Sequence, residues 1–86
     1  MYSFGDAVEA ALAGRKIGRL GWNGKDMFLF SITGNCWEFS CDVSGVDGLE
    51  TLPFLCMKTA DNKLVPWLAS QSDVLANDWV VADVGE

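Results

Sequence analysis

The chain contains no histidine. That absence excludes Ser–His and Cys–His catalysis, both of which need an imidazole base. It also removes the commonest nitrogen ligand of zinc. Cysteine is sparse: Cys36, Cys41 and Cys56 are an odd number with no C-x-x-C pair. No thiolate cluster is spelled out, and the expectation is no metal and no cofactor. Positive charge is scarce too. Six bases stand against 12 acids, a net charge of −6. A protein that binds nucleic acid polymers needs a basic face to replace phosphate counterions, and a polybasic membrane patch needs the same residues. Neither partner is expected. No apolar run reaches the length of a transmembrane helix. The opening stretch MYSFGDAVEAALAGRK has no basic region followed by an apolar run. These features predict a reducing cytoplasm and thiols that act as small core residues.

Apolar residues, by contrast, are plentiful. They make up 50% of an 86-residue chain, which argues against disorder. The length predicts one domain over residues 1–86. A core of that size is marginal, so the surplus hints at burial between subunits. The few bases are clustered: Arg15, Lys16, Arg19 and Lys25 are four of the six. They form either a local positive face or a solvated one.

Ser3 and Asp6 read as a capping pair. Phe4, Val8, Ala11 and Leu12 follow at helical spacing, and Gly14 reads as a left-handed stop. KIGRL reads as a short strand, followed by an N-G turn at residues 23–24. MFLFSI, residues 27–32, is apolar on both alternating faces, so it is expected to be covered on both sides. CWEFSC, residues 36–41, is expected to return from it as a hairpin, followed by a polar loop. FLCMKT and LVPW read as a second hairpin around ADNK, with Pro66 at an edge. Ser70 and Asp73 form a second capping box ahead of a helix over residues 71–77. WVVADV closes as a strand. Hairpins without long crossovers predict an α+β fold: a small, mainly antiparallel sheet with two short helices.

Two turns hold the residues with chemistry. Trp22, Asn23 and Lys25 stand in the first; Thr59, Asp61, Trp67, Ser70 and Gln71 surround the second. Tryptophan can stack a base, Asn and Gln can read base edges, and Lys can meet a phosphate. The set suits a nucleotide. Each residue also has a structural explanation: tryptophans close small cores, Asn precedes turn glycines, and Ser70 caps a helix. Asp73 and Asp78 are candidates for a carboxylate pair in acid–base work, and capping or turn bonding also explains both. GWNGK lacks the G-K-[ST] ending of a phosphate loop.

ALAGRKIGRLGWNGKDMFLF and MKTADNKLVPWLASQSDVLANDWVV together resemble the phage-encoded Thoeris anti-defence proteins of the second type, formerly a family of unknown function. The W-N-G-K turn, the MKTAD hairpin and the W-x-A-S-Q-x-D-x-L-x-x-D-W segment carry the resemblance. Residues 33–55 match poorly. The resemblance implies a sponge rather than an enzyme: a protein that binds a cyclic ADP-ribose-type immune signal and leaves it intact. Some members hold cyclic dinucleotides. It also implies a homotetramer with pockets between subunits, in the cytoplasm of the infected bacterium. Carried over by position, Trp22 and Asn23 would touch base or ribose, Thr59 and Asp61 ribose hydroxyls, and Ser70 and Gln71 a phosphate at a helix N-terminus. Trp67 would border the pocket and Trp79 would pack. The alternative is a structural or protein-interaction domain that blocks a host protein directly. A signal-destroying hydrolase or lyase is the third reading.

Overall fold

The element order is α1 (Phe4–Leu12), β1 (Lys16–Arg19), β2 (Phe28–Ile32), β3 (Phe54–Lys58), β4 (Leu64–Pro66), α2 (Gln71–Leu75) and β5 (Trp79–Ala82). This is the arrangement of a computed structural model that describes residues 1–22, 26–38 and 42–82. The strands form one sheet in the order β4-β3-β2-β1-β5, and every neighbouring pair is antiparallel. The α+β reading therefore holds, with five strands and two short helices.

Local chemistry explains the element ends. The Ser3 hydroxyl accepts the Asp6 amide at the start of α1, and Gly14 follows the helix at φ 95°, a conformation glycine adopts without a Cβ penalty. The turn between β3 and β4 passes through Asn62 at φ 64°; Asn tolerates that left-handed region better than most residues. Pro66 ends β4, the outermost strand, where no further ladder needs its missing N–H. α2 is shorter than expected: it stops at Leu75, and Ala76 is already extended.

Alternation sorts the sheet into two faces. Ile17, Leu29 and Trp79 point to one of them and are fully or almost fully buried with Ala7 and Ala11 of α1. Leu55, Met57 and Val81 pack around this core. The helix stripe from the sequence therefore lies on β1, β2 and β5. Trp79 fills the centre, and its indole N–H donates to the Asp73 carbonyl at 3.0 Å. That bond satisfies the buried donor and ties α2 to the core.

Three expectations need correction. Cys36, Trp37 and Glu38 are not in a strand; the remainder of the expected CWEFSC strand lies outside the described residues. β2 pairs with β3 instead, in register from Phe28↔Lys58 to Ile32↔Phe54. The reason is local closure. The Asn35 amide donates to Thr51, whose amide returns a bond to the Asn35 side chain, and the Trp37 indole donates to the Leu52 carbonyl at 2.9 Å. The segment folds onto its own exit rather than along β2. Gly34 permits the close approach, since a Cβ there would stand 3.0 Å from the Thr51 carbonyl oxygen. Second, Cys36 is exposed, and only Cys56 is a buried thiol among the described residues. Third, among the described residues the helices cover only one face of β2. Phe28, Phe30 and Ile32 are half-buried, and both helices lie on the other side, α2 against α1.

Candidate functional site

Trp22 follows β1 and Trp67 follows β4, yet the fold brings them together. Their ring centroids lie 6.4 Å apart, and each meets Trp79 at about right angles, at 5.9 and 6.1 Å. Phe4 of α1 completes the cluster, 5.3 Å from Trp79 and 6.4 Å from Trp67. Such tilted and edge-on contacts suit the ring quadrupoles. Trp79 is entirely buried, in keeping with a packing role. Trp22 and Trp67 are only half-buried, so each keeps part of an indole for contact outside the core. Asn23 and Lys25 lie outside the described residues.

Ser70 and Gln71 open α2. The Ser70 hydroxyl and amide both bond the Asp73 carboxylate, at 2.8 and 3.0 Å, and the Asp73 amide donates back to the Ser70 hydroxyl at 3.2 Å. The hydroxyl is thus committed to the cap. Gln71 is exposed beside it.

Thr59 and Asp61 stand in the β3–β4 turn. The Thr59 hydroxyl bonds Asp61 at 2.5 Å, and the Lys63 ammonium lies 3.3 Å from the same carboxylate. Those two partners, Thr59 foremost, hold the Asp61 carboxyl below its ordinary range. The pair bonds within the turn and does not join the aromatic cluster.

Asp73 and Asp78 share one partner that the sequence did not point to. Arg19 reaches Asp73 at 3.0 Å and Asp78 at 2.9 Å, joining β1 to α2 and to the entry of β5. Burial would push the Asp73 carboxyl up, but the Ser70 amide, the Ser70 hydroxyl and Arg19 more than reverse this and lower it. A general acid needs the opposite shift. The guanidinium is itself pushed up, chiefly by Asp78 and then Asp73. Among the described residues, no group of His, Cys, Asp or Glu is placed to hold a metal.

Two concavities escaped the sequence reading. A groove of about 440 Å³ runs along the helix-free face, lined by Lys16, Phe28, Lys58 and Asn62 among others. The Lys16 and Lys58 ammonium groups lie 4.7 and 5.9 Å from the centre of the Phe28 ring, within cation–π range. A second hollow of about 380 Å³ lies in the segment between β2 and β3, bounded by Trp37, Glu38, Asp47 and Glu50 among others. The alternating phenylalanines of β2, with Lys16 and Lys58 at the ends of β1 and β3, were the available signal for the first. The second follows from a chain reversal that the alternation of CWEFSC concealed.

Residues 2–82 match the family model of the Thoeris anti-defense 2-like domain. The chain is also 40% identical over 80 residues to Thoeris anti-defense 2 of Bacillus phage SP01, an alignment that covers 90% of each protein.

Proposed function

The chain belongs to the Thoeris anti-defense 2 family, and we propose that it serves a phage in the infected cell by sequestering a cyclic nucleotide immune signal without cleaving it. The observation that carries this reading is the family match across almost the whole chain, which includes both aromatic turns. The geometry supports it. Trp22 and Trp67 are half-buried neighbours, able to offer ring surface to a base, a contact worth about 1–3 kcal/mol. The two acids best placed for catalysis are already bound to Arg19, which favours a binder over a hydrolase. In this proposal Trp22, Asn23 and Lys25 hold base and phosphate from one side. Trp67, Ser70 and Gln71 border the pocket from the other, and Thr59 and Asp61 take ribose hydroxyls.

The test is a melting-temperature screen against cyclic ADP-ribose isomers and cyclic dinucleotides, followed by heat release and identification of the ligand. A ligand at a hundred times its Kd stabilises by about 2.7 kcal/mol, roughly 10–20 °C for a domain of this size. One compound should give such a shift and be recovered unchanged. Recovery of a new product would establish an enzyme instead. A second reading, direct binding to a host protein, draws on Leu68 and Leu75, which are 91% and 76% exposed around α2. It predicts no shift with any nucleotide.

A further inference from the structure

Packing alone does not fix α2. The helix is five residues long and none of them is buried; a helix that short is not stable by itself. Its seat is set by Asp73. The Oδ2 atom of that carboxylate accepts the Ser70 amide and hydroxyl, while Oδ1 accepts Arg19 Nη1 at 3.0 Å. The Asp73 carbonyl takes the Trp79 indole N–H. Arg19 also serves the other aromatic turn. Its carbonyl accepts the Trp22 amide at 3.2 Å, and the neighbouring Leu20 amide donates to the Asp78 carbonyl at 3.1 Å. Arg19 Nε donates to the Asp78 carboxylate at 2.9 Å. One residue therefore holds the Trp22 turn by its main chain and α2 by its side chain. The Arg19 and Asp73 side chains are 24% and 16% exposed, sheltered enough that salt screens the pair only weakly.

We infer that Arg19 is a positioning residue for nucleotide binding. It fixes the spacing between the Trp22 turn and the wall formed by Trp67, Ser70 and Gln71, and it acts through Asp73 and Asp78 rather than on the ligand. The inference deepens the sequestration reading and rests on it. Nε and Nη1 leave a planar guanidinium in fixed directions, so the two carboxylates are held at a set angle to each other. The segment from Trp67 to α2 is fastened at both ends. The Trp67 amide donates to the Leu55 carbonyl of β3 at 3.0 Å, and Arg19 holds the far end through Asp73. Releasing the far end lets the wall leave its seat beside Trp22, whose ring stands 6.4 Å from that of Trp67. Affinity scales with the fraction of molecules in the binding-competent arrangement, so a seated fraction cut to about one tenth weakens Kd about tenfold.

The test joins hydrogen exchange on the ligand-free full chain with calorimetric titration. The titrant is whichever cyclic ADP-ribose isomer or cyclic dinucleotide shifts the wild-type melting temperature most. In Arg19→Gln, the amides of Ser70, Asp73 and Val74 should exchange at least tenfold faster, while those of the β2–β3 ladder keep their wild-type rates. Kd, measured well below the variant's melting temperature, should weaken at least tenfold with unchanged stoichiometry. Arg19→Lys keeps the charge but loses the fork, and its Kd should fall between the two. Asp73→Asn should also weaken binding, and the double variant should lose far less than the product of the two single losses, because both act through one contact. A lower melting temperature with wild-type Kd would overturn the inference, leaving Arg19 a stability residue alone. Losses that multiply in full would also overturn it, because Arg19 would then touch the ligand itself. So would equal exchange in wild type and Arg19→Gln. A wild type that binds no compound, with exchange still accelerated over α2 in Arg19→Gln, would remove sequestration and leave the seating of α2 by Arg19 in place.

Discussion

Trp67 and Trp79 show how two identical side chains in one segment divide their roles. Trp79 is sealed in the core, so Trp79→Ala should remove about 3–5 kcal/mol of stability, read as a lower urea midpoint. Trp67 touches Phe4, Trp22 and Trp79 but keeps part of its ring outside. Trp67→Ala should therefore destabilise less than Trp79→Ala and should also weaken nucleotide binding. Loss of stability with unchanged affinity would make Trp67 a packing residue alone. Arg19 sets a pH dependence. The Asp73 carboxyl is depressed in the fold, so its contribution is present above the unfolded value, about 3.9. It is lost as pH falls through the lower folded value. Urea midpoints of wild type and Arg19→Gln should differ at pH 7 and converge as the pH falls through the lowered folded value of Asp73. The acids were legible in sequence as a cap and a helix exit. Their shared cation was not, because it stands 54 and 59 residues away, and local spacing carries no trace of so distant a partner.

At the level of elements, legibility followed hydrogen-bond range. The capping box at Ser70–Asp73 closes within one turn, so spacing alone revealed it; Ser70→Ala should cost about 1 kcal/mol, measured by chemical denaturation. The β3–β4 hairpin was equally readable, since its turn is short and polar. The segment after β2 was misread because alternation in CWEFSC imitates a strand. What decides its path is the pairing of Asn35 with Thr51 and the room beside Gly34, which join positions far apart in the chain. Gly34→Ala would press on the Thr51 carbonyl and the Pro53 ring. The expected loss is about 1–3 kcal/mol, with the change in near-ultraviolet signal centred on Trp37. The candidate site divides the same way. Its residue types were visible in two turns, whereas the meeting of Trp22 with Trp67 depended on how β1 and β4 are carried across the sheet.

For the whole molecule, an apolar content of 50% leaves Phe28, Phe30 and Ile32 only half-buried on the sheet face away from the helices. The sequence signalled this surplus and raised the expectation of burial between subunits. It could not indicate where, because that depends on which strand face the helices occupy. If subunits bury that surplus, stability becomes a function of concentration. The melting temperature of the wild type should then fall across a hundredfold dilution series.

The strand order has a last consequence. β1 and β2 come from the first part of the chain and lie in the middle of the sheet. β3 and β5 come from the later part and clasp them from both sides. A single proteolytic nick in the exposed stretch between Asp42 and Glu50 would thus yield two pieces that are interleaved rather than adjacent. The cut protein should elute as one particle under native conditions, and the two pieces, expressed separately, should reassemble as a split reporter does.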